Sequence, residues 1–97
     1  AEPGAVLDEM LRVLKPGGLL FARDLLRPAD TATVDRLVAE YAGDEVARAR
    51  QLFRQSLHAA LTLEEIRQTV VSRGGRPECV FASSDRHWTI CGRWPIR

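Results

Sequence analysis

Two charged side chains, Asp24 and Arg27, lie at the end of a nearly continuous apolar run, residues 19–26. Because apolar and polar residues do not alternate in this run, it predicts a strand that is covered on both faces. Ligands of open α/β sheets bind beyond the carboxyl ends of the strands. Asp24 and Arg27 are therefore candidates for contact with a substrate. The alternative is that they form a local ion pair or a helix cap.

The other polar side chains give no clear catalytic pattern. His58 lies midway along a predicted helix beside two alanines, which favours a packed or surface histidine. Ser56 has no evident base beside it, so the sequence gives little support for a nucleophile there. Trp88 and Trp94 fall on one face of a predicted strand, where packing explains them better than stacking on a ligand. We therefore expect no catalytic residue in this chain.

The two cysteines are Cys79 and Cys91. Without a CxxC motif or a histidine cluster they predict no metal site, and two reduced thiols of a cytoplasmic protein are the simplest interpretation. If the final hairpin turns through residues 84–86, Ser83 faces His87 and Cys79 faces Cys91. Cysteines opposed in this way could be oxidised, although the geometry of the disulfide would be strained.

The composition of the 97 residues, 45% hydrophobic and 28% charged, predicts a single domain, 1–97. A chain of this size buries only about 60–65% of its unfolded surface, so we expect marginal stability or self-association. The net charge of +1 favours no nucleic-acid partner, and no apolar run reaches the roughly 20 residues of a membrane span. The first residues do not form a signal peptide, and the only methionine is Met10, which indicates an excised piece.

Four helices are predicted around the apolar run. Their ranges are about 5–14, 31–42, 44–60 and 62–73, with caps at Asp30 or Thr31, at Asp44, and at a Thr62–Glu65 capping box. The residues expected to face inward include Val34, Leu37, Val38 and Tyr41, then Val46, Ala49, Phe53, Leu57 and Ala60, then Ile66 and Val70. The first helix stops at Pro16, because the residue before a proline avoids the α region.

Two strands close the chain, at about residues 78–83 and 87–94, and the short link between them predicts an antiparallel hairpin. The predicted order of elements is α-β-α-α-α-β-β, an α/β fold. Only these closing strands can pair with the strand at residues 19–26, which should be parallel to a neighbour. We therefore expect a three-stranded mixed sheet with a C-terminal antiparallel hairpin.

Three segments carry a family resemblance, and they read EMLRVLKPGGLLFARDLLRP, FRQSLHAALTLEEIRQTVVSRGG and SSDRHWTICGR. Together they resemble the C-terminal half of a class I S-adenosylmethionine-dependent methyltransferase of the small-molecule, ubiquinone-biosynthesis-like type. The first is similar to that fold's fourth helix and fifth strand. The third is similar to its closing hairpin, whose last strand inserts antiparallel into the sheet. The resemblance covers nearly all of the chain and implies a partial Rossmann-like methyltransferase fold.

The resemblance implies that Asp24, Arg27, Arg86 and His87 lie on the substrate side of the fold. For Arg86 and His87, which match the hairpin turn of similar sequences, a solvated turn or a packing role is the alternative. That family holds S-adenosylmethionine with a Gly-rich loop, whose backbone approaches the ligand, and with an acid that accepts the ribose hydroxyls. None of the seven glycines forms a GxG pattern, so no cofactor residue can be assigned to this chain.

Three functions are compatible with these patterns. The first is the substrate-side half of a small-molecule methyltransferase, inactive alone and without cofactor. The second is a stand-alone binding or assembly module that self-associates through the exposed edge of the strand at residues 19–26. The third is a winged helix-turn-helix DNA binder, which the net charge and the acidic pair Glu64 and Glu65 at the start of the fourth helix disfavour.

Overall fold

Three strands form one antiparallel sheet in the computed structural model, which describes residues 3–94. They are β1 (Gly18–Leu25), β2 (Val80–Ser84) and β3 (His87–Trp94), in the spatial order β1-β3-β2. The expectation of a mixed sheet is wrong, because β3 lies between the other two strands and is antiparallel to both. β1 and β2 run in the same direction but are not neighbours. The only parallel pairing among the described residues is the isolated bridge between Leu26 and Leu61.

Four α-helices and one short 3-10 helix accompany the sheet. They are α1 (Pro3–Val13), α2 (Thr31–Ala42), α3 (Ala47–Ala59), α4 (Leu63–Val71) and the 3-10 helix Pro77–Cys79. The predicted succession of helices and strands and the mixed α/β class are therefore confirmed. Gly17 makes the reversal between α1 and β1 with a φ of 75°, a conformation that glycine adopts without a steric cost.

The main core lies on the face of the sheet that α1 and α4 cover. Its buried residues are Leu7, Leu20, Ile66, Val70, Val80, Trp88, Ile90 and Trp94. Both tryptophans belong to this cluster, which confirms the prediction that they pack. Burial of a side chain such as leucine or phenylalanine stabilises the fold by about 1.5–3 kcal/mol, so this cluster is the main source of stability.

The helices α2 and α3 form a hairpin with a smaller core of their own. Its buried residues are Val34, Leu37, Val38 and Leu57, and Leu25 of β1 and Phe53 pack against them. Tyr41 does not face inward as expected. It is 43% exposed, because its hydroxyl donates a hydrogen bond to Asp85 in the turn between β2 and β3. This hydrogen bond ties the end of α2 to the β-hairpin.

Two predicted helix caps are confirmed. Asp30 caps α2, where its carboxylate accepts a hydrogen bond from the backbone N–H of Thr33. Thr62 and Glu65 form the capping box of α4, since each side chain accepts from the backbone N–H of the other residue. Such a cap supplies partners for backbone N–H groups that the first turn of a helix leaves free.

The predicted cap at Asp44 is wrong. Gly43 keeps a right-handed helical conformation after α2, and the N–H of Glu45 donates to the carbonyl of Ala42. Asp44 therefore lies in the turn that ends α2, and Val46 precedes the first turn of α3 without any capping hydrogen bond from its side chain. Val46, expected in the apolar stripe, is 72% exposed for the same reason.

The β2–β3 hairpin keeps the predicted register from Val80 to Ala82 and departs from it at one irregularity next to the turn. A bulge between Ala82 and Ser84 places Ser84, and not Ser83, opposite His87. Cys79 lies in the 3-10 helix before β2, where its thiol donates to the carbonyl of Arg76 at 2.8 Å. It precedes the first paired residue of β2, Val80, and both thiols are free.

Candidate functional site

A groove opens at the carboxyl end of β1, beside the start of α1 and the end of α3. It encloses about 530 Å³ and is lined by Val6, Asp24, Leu25, Ser56, Ala59, Ala60, Leu61 and Trp88. Small-molecule sites commonly have volumes of about 300–1,000 Å³. The structure thus brings Asp24, one of the candidate residues, into a cavity of suitable size for a ligand.

Asp24 is the one charged residue of this lining. Its Oδ1 atom accepts a hydrogen bond from the backbone N–H of Leu25 at 2.7 Å. Its Oδ2 atom makes no hydrogen bond or ion pair with another described residue. The carboxylate therefore keeps one oxygen for solvent or for a ligand in the groove.

Trp88 is a largely buried residue of the groove lining. Only 8% of this residue is exposed, and its indole Nε1 is buried with no hydrogen-bond partner among the described residues. A buried N–H without a partner costs about 1–3 kcal/mol. Trp88 is also the cross-strand partner of Asp24, so both side chains project from the same face of the sheet.

Arg27 contacts two residues that come later in the sequence, Ala60 and Glu65. Its guanidinium donates to the carbonyl of Ala60 at 2.8 Å and forms an ion pair of 3.1 Å with Glu65. The pKa of Glu65 is lowered, first by the hydrogen bond from the Thr62 backbone and to a smaller extent by the charge of Arg27. Arg27 therefore links the end of α3 to the capping box of α4, in line with the ion-pair alternative.

Arg86 belongs to a polar contact at the tip of the β-hairpin. Its guanidinium carbon lies 3.6 Å from the centroid of the Tyr41 ring and its Nη1 donates to Asp85 at 3.0 Å. The Tyr41 hydroxyl donates to the same carboxylate at 2.9 Å. This hydrogen bond lowers the pKa of Asp85 and raises the pKa of Tyr41. The contact fixes the tip of the hairpin against α2.

His87 lies next to this contact, in a positively charged environment. Its Nδ1 atom is 2.8 Å from the Ser84 hydroxyl and 3.4 Å from a guanidinium nitrogen of Arg23. Burial lowers the pKa of His87, and the charges of Arg23 and Arg86 lower it further, whereas Asp24 acts weakly in the opposite direction. A general base must accept a proton, and the neighbouring arginines oppose the imidazolium that would form. The geometry therefore favours a neutral, structural histidine.

The remaining sequence candidates lie apart from any reactive arrangement. The Ser56 hydroxyl lines the groove but donates to the Leu52 carbonyl at 2.9 Å, and His58 is exposed on α3. Within residues 3–94, no three histidine, cysteine, aspartate or glutamate side chains come together as a metal site. Across the same residues, no helix combines the length and the apolar character needed to cross a bilayer.

Two features of the site were not expected from the sequence. The pairing of Asp24 with Trp88 depends on the register between the first and last strands, which no local pattern encodes. The contact of Ser84 with His87 depends on the bulge in β2, although the spacing of three residues around a turn could have pointed to it.

Comparison of the chain with protein-family models, with curated proteins and with solved structures finds no match in any of the three.

Proposed function

We propose that this chain forms the substrate-side half of a class I S-adenosylmethionine-dependent methyltransferase fold and is inactive by itself. The observation that carries the proposal is the position of β3 between β1 and β2, antiparallel to both. This is the arrangement implied by the resemblance for a closing hairpin whose last strand inserts into the sheet. The groove at the end of β1, where Asp24 lies, would then be part of the substrate pocket.

The free edge of β1 supports the same proposal. Among the described strands, β1 pairs only with β3, so its outer edge has no strand neighbour. Leu19 and Phe21 beside this edge are 54% and 63% exposed, and Val13 of α1 is 68% exposed. An unpaired edge flanked by exposed apolar side chains is suited to pairing with a further strand. The cofactor-binding half of the proposed fold would supply that strand.

The residues of this chain do not fit S-adenosylmethionine. Binding it needs a Gly-rich turn that exposes backbone N–H groups to the ligand. The glycines of the structure have other uses: Gly17 and Gly74 have φ values of 75° and 84° in turns, and Gly75 lies against Trp94. We assign no cofactor to these residues. For the location we propose the cytoplasm, in keeping with the free thiols of Cys79 and Cys91.

Two measurements test the proposal. Calorimetric titration of the 97-residue chain with S-adenosylmethionine should give no binding heat, and micromolar binding would overturn the proposed inactivity. Next, the chain is fused behind the cofactor-binding half of a small-molecule class I methyltransferase. Hydrogen exchange of the β1 amides should then slow, because the edge becomes paired. Unchanged exchange in a folded fusion would contradict the proposed arrangement.

Self-association of the isolated chain is a second candidate, and it depends on the same exposed edge. Two copies of β1 could pair edge to edge and cover Leu19 and Phe21. We expect a dimer or a larger oligomer by light scattering at high concentration. Phe21→Arg should shift the population to monomer, whereas Val46→Arg, at a similarly exposed apolar residue on the helical hairpin, should not. A wild-type chain that stays monomeric at all concentrations would exclude this candidate.

A further inference from the structure

The face of the sheet that is turned away from α1 and α4 carries large apolar side chains. Residues of a strand alternate between the two faces, so Leu19, Phe21 and Arg23 project away from the core that contains Leu20. Leu19 and Phe21 are 54% and 63% exposed. The cross-strand partner of Phe21 is Cys91, which is exposed in the middle of the same face.

The other two strands continue this apolar surface. Thr89 is opposite Arg23 in β1 and opposite Phe81 in β2, so Phe81, 43% exposed, belongs to the same face. The helical hairpin reaches only the far end of the face, where Leu25 packs against it. We call the remaining surface the open face, and it is defined by Leu19, Phe21, Arg23, Phe81, Cys91 and Arg93.

This composition differs from that of a sheet surface that faces water. Antiparallel sheets with one solvated face usually present alternating polar side chains there. The open face presents two phenylalanines and a leucine on neighbouring strands instead. Contiguous exposed apolar patches of this kind mark interaction surfaces.

The charged side chains of the open face are both positive. Asp24, the one acidic residue of the three described strands, projects from the opposite face. Arg93 donates to the Gly17 carbonyl at 3.2 Å, and the guanidinium of Arg23 lies 3.4 Å from Nδ1 of His87. Neither arginine forms an ion pair with a carboxylate of the described residues, so the charge of both is open to an anionic partner.

The register fixes how far apart the two arginines are. Arg93 is opposite Leu19, four positions before Arg23 in β1 and one strand away from it. At about 3.4 Å per residue and about 4.8 Å between strands, their Cα atoms are roughly 14 Å apart. Residues 7 or 11 positions apart on one side of an α-helix are separated by about 10 or 16 Å, values that bracket this distance. Carboxylates on a helix laid across Phe21 can therefore reach both arginines.

Three occupants of the open face can be compared on these grounds. A second copy packed face to face would bring arginines against arginines, with no acid on either surface. A single-stranded nucleic acid would gain only two cationic contacts for its phosphates, and Leu19 offers no stacking surface to a base. A helix with an apolar stripe and acidic flanks would cover the apolar centre and pair with both charges.

We propose that the open face binds an amphipathic helix of a partner protein, whose apolar stripe covers Phe21 and whose acidic flanks pair with Arg23 and Arg93. Packing of a helix on a sheet is a common way to bury an apolar sheet face. The inference concerns the face of the sheet, and neither the edge of β1 nor the groove at its end. It therefore does not rest on the proposed function.

The test titrates the 97-residue chain into two fluorescent peptides and measures anisotropy. Both peptides form a helix of about five turns with one leucine stripe, flanked by glutamate in the first peptide and by lysine in the second. The acidic peptide should bind at least about tenfold more tightly, because the lysines of the other would face arginines. Equal affinities, or no binding at millimolar concentration, would refute the inference. A single-stranded oligothymidylate that displaces the acidic peptide as well as the unlabelled peptide does would also refute it.

The two thiols report where the peptide binds. Cys91 is exposed in the middle of the open face, whereas Cys79 is half-buried and its thiol donates to the Arg76 carbonyl. The rate of alkylation at Cys91 should fall in proportion to the fraction of chain that has bound the peptide. The rate at Cys79 should stay constant. Undiminished alkylation of Cys91 in the saturated complex would place the peptide elsewhere and overturn the proposal.

Matched substitutions separate the apolar contact from the charges. Phe21→Ala should weaken binding of the acidic peptide at least about tenfold, whereas Leu52→Ala, at a residue of α3 that is 48% exposed, should change it less than about twofold. Arg23→Glu combined with Arg93→Glu should reverse the preference, so that the lysine peptide binds more tightly. Arg48→Glu, at an exposed arginine of α3, should leave the preference unchanged. All these side chains are exposed, and circular dichroism checks that each variant is folded.

A double charge variant that still prefers the acidic peptide would contradict the assigned ion pairs. The fusion with a cofactor-binding half then separates this inference from the proposed function. Protection of Cys91 in the fused protein without peptide would mean that the fused half covers the open face, which excludes the partner proposed here. Charge-selective binding by the isolated chain, together with unchanged exchange at the β1 edge in the fusion, would keep the open face as a binding surface and reject the methyltransferase half.

Discussion

Replacing Gly75 by alanine tests the packing of α4 against the end of the last strand. A Cβ atom at this position would overlap Cζ2 of Trp94 and Cγ1 of Val70, and would lie 2.6 Å from Cη2 of Trp94. Trp94 is 7% exposed and Val70 is fully buried, so neither side chain can move into solvent. The methyl group can be accommodated only by shifting the backbone or by forcing these side chains out of their preferred rotamers.

Overpacking of this kind typically costs about 1–3 kcal/mol. Because the added atom meets two buried side chains at once, we expect Gly75→Ala to lower the free energy of unfolding by about 3 kcal/mol, the upper end of that range. For a domain of this size that corresponds to a fall in melting temperature of roughly 12–24 °C. Domains are commonly stable by only about 5–15 kcal/mol, so the variant would stay folded with a small margin.

The neighbouring Gly74 provides the matched control. Its φ is 84°, and a Cβ atom there would meet no atom within 4 Å. Gly74→Ala should therefore lower the free energy of unfolding only by the cost of a left-handed backbone at alanine, about 1 kcal/mol. Urea denaturation followed by circular dichroism compares the two variants with the wild type. If Gly75→Ala is no less stable than Gly74→Ala, the packing of Trp94 and Val70 described above is wrong.

Further predictions concern the cap of α4 and the hairpin histidine. Thr62→Ala should lower the free energy of unfolding by about 1 kcal/mol in urea denaturation, because it removes half of the capping box, and Thr31→Ala, at a residue that does not cap α2, should have little effect. An equal loss in both variants would contradict the capping box. The pKa of His87 is lowered by burial and by Arg23 and Arg86, so the unfolded chain binds the imidazole proton more tightly than the folded chain. Stability should therefore fall as the pH is lowered through about 6.5, and the fall should be smaller in His87→Gln; the same pH dependence in both proteins would refute this assignment.

The parts of the fold that local sequence encodes could be predicted. The capping box depends on two residues, Thr62 and Glu65, that are three positions apart, and α1 ends at Val13, shortly before Pro16. The prediction of a helix cap at Asp44 is wrong although aspartate is a suitable residue type for a cap. Gly43 keeps a helical conformation, so the turn that ends α2 extends to Glu45 and includes Asp44.

The pairing of the strands could not be predicted in the same way. The continuous apolar run predicts a strand that is covered on both faces, yet Leu19 and Phe21 are more than half exposed on one face. Whether they are covered depends on what lies beside β1, and the run itself carries no information on that. For the same reason the sequence indicated Asp24 as a candidate but not its partner, since Trp88 reaches it only through the pairing of the first strand with the last.

The central position of β3 has a consequence for how the protein is made. This strand is the last of the three to be synthesised, and until it has left the ribosome β1 and β2 have no common neighbour. The contacts between α2 and α3 are close in sequence and can form earlier. The nascent chain would thus acquire its helical hairpin first and its sheet last. During that interval the apolar side chains of β1 lack the cover that the completed sheet and core give them, and such transiently exposed surface is prone to aggregation.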